Sequence, residues 1–140
     1  MKNAAKIEYL SRVPLFSGFS KKDLGEVARH VDTIDVPSGT TLTEEGKLAH
    51  QFGVIVEGSA AVRRNKRKLA DLGPGDFWGE MALLLKETAS ASVVTTEDSS
   101  VLVIHSREFS HLLDRVPALS KKLATGLAAR LLEADKKLTV

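Results

Sequence analysis

Gly79-Glu80-Met81-Ala82-Leu83-Leu84 sets a glycine and a carboxylate in front of four apolar residues. Glycine lets the backbone approach a bound group closely, because no Cβ stands in the way. Residues 80–85 read as a short helix. The first N–H groups of a helix have no intrahelical partner, and together with the helix dipole they can hold an anion. Met81 and Ala82 would contribute main-chain donors, so their side chains matter less. Glu80 also favours the N-terminus of the same helix through its charge.

Other clusters carry less. Arg63-Arg64-Asn65-Lys66-Arg67-Lys68 holds five cations in six residues. Such a run can attract an acidic surface. It lies between two strand-like runs and has no interleaved aromatics to stack bases, so it reads as a solvated hairpin tip. His30, His50, His105 and His111 make no His-x-x-x-His pair, and no metal site is expected. With no cysteine there is no disulfide, thiolate site or cysteine nucleophile. No Gly-x-Ser-x-Gly elbow is present either. Trp78 reads as core or pocket wall.

The elements that must position the glycine and the carboxylate change twice along the chain. Ile7, Tyr9, Leu10 and Val13 precede Pro14, which should end a first helical turn. Ser20 is placed to cap a better helix, with Asp23 three residues on. Leu24, Val27, Ala28 and Val31 give that helix one buried face. Seven of the ten glycines fall between Gly39 and Gly79, a density that implies tight turns. Between them lie short, partly β-branched runs such as residues 52–56, 59–63 and 101–105. Strands are therefore expected over 32–105, closed into a barrel, roll or sandwich. Ser106 can cap a further helix, and Pro117 opens a last one. Leu119, Leu123, Leu127, Leu131, Ala134 and Leu138 form a stripe along it, and Ala124, Ala128 and Leu132 a second face. Two apolar faces usually need a second covering surface, so this helix is expected to form a homodimer; the plainer alternative is that it packs wholly against its own strands.

Length and composition suit one domain: 140 residues, 43% apolar, 27% charged, net charge +2. The expected organisation is helical over 1–31, a β-roll over 32–105 and helical over 106–138. No apolar run is long enough to span a bilayer, and the N-terminus lacks a signal-peptide core. No membrane partner and a cytoplasmic location are the expectation.

Several motifs occur in order. Val13-Pro14-Leu15-Phe16 is followed by Asp23-Leu24, then by Gly39-Thr40-Thr41-Leu42-Thr43-Glu44-Glu45-Gly46 and Val54-Ile55-Val56-Glu57-Gly58. Leu72-Gly73-Pro74-Gly75-Asp76-Phe77-Trp78 then leads into Gly79-Glu80-Met81-Ala82. The ordered set resembles the cyclic nucleotide-binding domain family, of the catabolite-activator and protein kinase A regulatory-subunit type. The resemblance covers nearly the whole chain, and residues 79–93 resemble the family's phosphate-binding cassette. It implies an α+β, mainly β fold: a jelly-roll-like β-roll with N-terminal helices and a long C-terminal helix. It also implies binding rather than catalysis, with cAMP or cGMP as ligand and no other cofactor. By the family pattern Glu80 accepts a hydrogen bond from the ribose 2′-hydroxyl, and Gly79, Met81 and Ala82 lie at the sugar-phosphate.

The cassette departs from the pattern at its closing end, Thr88-Ala89-Ser90-Ala91-Ser92-Val93. Ala91, Ser92 and Val93 fit, and Ser90 stands where a small or hydroxylated residue is usual. Ala89 stands where the family has its phosphate-binding arginine. Removing one partner of a buried charge pair costs about 2–5 kcal/mol. That is a loss of roughly 30- to several-thousand-fold in affinity. Three readings stay open. The domain binds a cyclic nucleotide weakly, helped by Ser90, the helix N-terminus and the auxiliary residues Lys86 and Ser92. Or it binds a less anionic ligand. Or it works without ligand, as a scaffold or dimerisation module. The expected role is a regulatory sensor that couples a ligand to the C-terminal helices. No helix-turn-helix follows the long helix, so no DNA-binding domain is expected in this chain. It could then be the sensor half of a Crp-like regulator.

Overall fold

The computed structural model describes residues 3–138. It divides into two units: residues 29–110, and the helical segments on either side, up to Ala28 and from His111.

The 29–110 unit is a β-roll of two four-stranded antiparallel sheets. One holds β1 (Asp32–Val36), β8 (Ser99–His105), β3 (Gln51–Glu57) and β6 (Phe77–Trp78), in that order. The other holds β2 (Thr41–Thr43), β7 (Ser92–Thr95), β4 (Ala60–Arg64) and β5 (Arg67–Leu72). Both sheets feed one core. Ile55, Trp78, Val101 and Val103 come from the first, and Ala60, Leu72 and Val93 from the second. Burying these side chains is the main favourable term for the roll. Gly53 stands opposite Trp78 in the β3–β6 ladder. The indole lies over Gly53 so closely that any Cβ there would collide with it. Trp78 is therefore core. Phe52 stacks on Phe109 with ring centroids 4.8 Å apart. The short helix α3 (Glu80–Leu85) bridges β6 to the stretch before β7.

The helical unit contains α1 (Asn3–Ser11), a 3₁₀ turn (Pro14–Phe16), α2 (Lys21–Ala28) and α5 (Pro117–Leu138). Ser20 caps α2 as expected: its Oγ accepts the Asp23 amide at 3.1 Å. Pro14 sits at the first position of the 3₁₀ turn, and α1 ends sooner, at Ser11. Pro117 is the first residue of α5. Helix α4 (Ser106–Arg115) begins with Ser106 itself, whose amide donates to the His50 carbonyl at 2.9 Å. Leu119 and Leu123 of α5 are buried, and Leu127 is half-buried. Further along, Leu131 is 71% exposed and Leu132 54% exposed. The side chain of Leu138 lies outside the described residues.

Among the described residues no helix is long and apolar enough to cross a membrane. Among the same residues no group of three or more His, Asp or Glu comes together to hold a metal ion.

Candidate functional site

The opening half of the cassette is built around Gly79. Its φ of 91° lies in the left-handed region. A Cβ there would also strike the carbonyl oxygen of Gln51 on β3. The glycine is thus required by close packing inside the roll, apart from any ligand. Helix α3 starts immediately after it. The Leu83 amide makes the first helical bond, to the Gly79 carbonyl at 3.2 Å. Amides ahead of it have no helical carbonyl to bond. Met81 is 53% exposed and Ala82 half-buried. Glu80 is 3% exposed, the one buried ionisable side chain among the described residues. Burial on this scale goes beyond what a carboxylate needs to complement a helix dipole, since that effect operates at the surface as well.

Lys86 ends the helix. Its φ of 56° is left-handed, and its amide donates to the Ala82 carbonyl. Glu87 donates to the same carbonyl at 3.0 Å. Lys86 thus has a local job as the helix C-cap.

The closing half is held by its main chain. The Ala89 amide donates to Lys47 O at 2.9 Å, and the Ala89 carbonyl accepts Gly46 N at 2.9 Å. Thr88 forms a bridge with Leu48. Ala89 is 8% exposed, so this position is enclosed although its side chain is only a methyl. Ser90 is exposed and Ala91 half-buried. The Ser92 hydroxyl accepts the Glu45 amide at 2.9 Å, which ties the start of β7 to the turn after β2. Val93 enters the core.

Sequence reasoning put the basic run at a hairpin tip, and there it lies. β4 and β5 are joined by Asn65 and Lys66, both with positive φ, as in the tight turn that suits a twisted hairpin. Residues 63–68 are all exposed. One contact of this run was not foreseen. Arg64 Nε donates to the Ser90 carbonyl at 2.9 Å, which brings a guanidinium to the closing end of the cassette. Arg64 and Ser90 are remote in sequence, and the contact depends on the pairing of β4 with β7.

Comparison with known proteins bears on the family and the fold. The family model described as "Cyclic nucleotide-binding domain" matches residues 33–116. The cyclic AMP receptor protein of Thermus thermophilus is 32% identical over 130 residues, covering 89% of this chain and 60% of the relative. A cyclic nucleotide-gated potassium channel of Mesorhizobium japonicum is 32% identical over 114 residues, covering 81% of this chain and 32% of the relative. The crystal structure of the Thermus thermophilus catabolite activator protein superposes with a TM-score of 0.79 at 32% identity. That match covers 90% of this chain and 62% of the other. The chain therefore spans less than two thirds of the length of these relatives.

Proposed function

Since this chain belongs to the cyclic nucleotide-binding domain family, we propose that it is a regulatory module sensing cAMP or cGMP through residues 79–82 and 89–91, with affinity limited by Ala89. The observation that carries this reading is the burial of Glu80 beside Gly79. A buried carboxylate is a strong hydrogen-bond acceptor, and a ribose hydroxyl is a donor of the right kind. Two relatives named for cyclic nucleotides support the choice of ligand. The module binds and does not catalyse. The ligand acts by favouring one of two conformations, and it shifts them only as far as it binds one better than the other.

Regulation is read out, on this reading, through α5. Its second half presents Leu131 and Leu132 to solvent, which supports a homodimer formed along Pro117–Leu138. A location in the cytoplasm accords with a cyclic nucleotide ligand.

Ligand-free action is favoured by one observation of its own. The closing half is complete in its main-chain bonds without any anion, through Gly46, Lys47 and Ala89. Calorimetric titration with cAMP and cGMP separates the two readings. The sensor reading expects wild-type binding in the high-micromolar range, lost in Glu80→Ala. No binding to the wild type, with binding restored by Ala89→Arg, would establish the ligand-free reading instead.

A further inference from the structure

Arg64 is the last residue of β4. Ala60 belongs to the core of the roll and Val62 packs against it. Side chains alternate along a strand, so Arg64 lies on the same side of β4 as these two, beyond the core and exposed. Arg63 is paired with Ser92 across the β4–β7 ladder, so Arg64 stands one step beyond that pair, toward the cassette. Its side chain turns to the cassette backbone: Nε donates to the carbonyl of Ser90, the residue next to Ala89. A guanidinium has five N–H donors in a rigid fork, and this bond uses one of them. Arg63, Lys66, Arg67 and Lys68 surround it in the sequence and raise the local positive potential. Glu45 Oε1 accepts the amide of the next residue, Asn65, at 3.1 Å.

We propose that Arg64 supplies the cation that the cassette lacks at Ala89, binding the phosphodiester of the cyclic nucleotide from strand β4 instead of from the cassette itself. This rests on the sensor reading above. The Ser90 carbonyl orients the guanidinium, and its remaining donors meet the phosphate oxygens. An arginine held at a solvent-exposed position binds an anion less strongly than a buried one, so the module has weak affinity that falls as salt rises.

The test is a titration of the full chain with cAMP at low salt. It compares wild type, Arg64→Ala, Arg64→Lys and Arg63→Ala, then repeats Arg64→Ala in the Ala89→Arg background. Arg64→Ala should weaken binding about tenfold, the weight of one exposed charge-assisted contact. Arg64→Lys should recover part of the loss, and Arg63→Ala should change binding by less than about twofold, because Arg63 lies on the other face. With Arg at position 89 the phosphate has its cation, so removing Arg64 there should cost under about threefold. Such non-additivity marks two groups that serve one charge. Equal losses in Arg63→Ala and Arg64→Ala would reduce the effect to net charge and overturn the assignment. The same loss in both backgrounds would overturn it too. Unchanged binding in Arg64→Ala would sink the assignment and leave the sensor reading intact, whereas no binding to the wild type sinks both. The melting temperature of Arg64→Ala, an exposed position, should match wild type and exclude unfolding as the cause.

Discussion

The two ends of the cassette are shaped by different means. Residues 79–85 depend on particular side chains, or on the lack of one. Gly79 fits under the Gln51 carbonyl only because it has no Cβ, and Glu80 is buried beside it. Residues 86–90 depend on their main chain. Ala89 is fixed by main-chain hydrogen bonds to Gly46 and Lys47 that any residue but proline can make, and the Lys86 amide donates a hydrogen bond to the Ala82 carbonyl. A loop held by its backbone keeps its course when a side chain changes. The contrast means that the course of the loop at position 89 does not depend on which side chain stands there.

The largest effect expected from breaking this contrast is at Ala89. Ala89→Arg should raise cAMP affinity by roughly 30- to several-thousand-fold, the reverse of removing one partner of a buried charge pair. The position is enclosed, so the new guanidinium has few water contacts before ligand arrives. The ligand-free variant should therefore be less stable than wild type, and saturating cAMP should reverse the loss. Calorimetry and thermal melts with and without cAMP measure both. An unchanged affinity would mean that residue 89 does not face the phosphate.

Gly79→Ala tests the other half. A left-handed backbone costs an alanine about 1–2 kcal/mol. The collision with Gln51 adds to this, because a main-chain oxygen cannot swing aside as a flexible side chain does. The expected loss is on the order of 2 kcal/mol or more in denaturant unfolding, without ligand present. A neutral result would show that β3 and α3 separate easily, and the opening half would then be no more rigid than the closing half.

The sequence made some of this legible, and the reasons are physical. Ser20 and Asp23, or Pro117, act on neighbours within one turn of chain, so their spacing reveals the cap and the helix start. β3 and β8 are apolar over most of their length because both are buried. β1 is exposed along almost its whole length and β5 up to its last residue, so neither carries a distinct apolar pattern. Glycine and glutamate at 79 and 80 were visible as a motif, but the Gln51 carbonyl that demands the glycine is remote in sequence. Arg64 and Ser90 are 26 residues apart, and only the pairing of β4 with β7 brings them together. A run of five cations looks uniform in sequence. The alternation of the strand singles out one of them.

The smallest effects should sharpen the contrast within the closing half. Ser90 and Ser92 both carry a hydroxyl, and both belong to the candidate site. The Ser92 hydroxyl already accepts the Glu45 amide in a half-buried setting. Ser92→Ala should cost about 1 kcal/mol of stability, the net worth of such a bond, and leave cAMP affinity within about twofold. The Ser90 side chain is exposed, and its hydrogen bond with Arg64 uses the carbonyl, which alanine also has. Ser90→Ala should thus leave stability unchanged. It should weaken cAMP binding by about threefold, the share of one neutral hydroxyl on a charged phosphate in water. Unfolding curves and calorimetry on the two variants give opposite patterns if the assignment is right. If Ser92→Ala lost affinity and kept stability, the ligand would sit nearer β7 than residues 89–91, and the roles of the two serines would exchange.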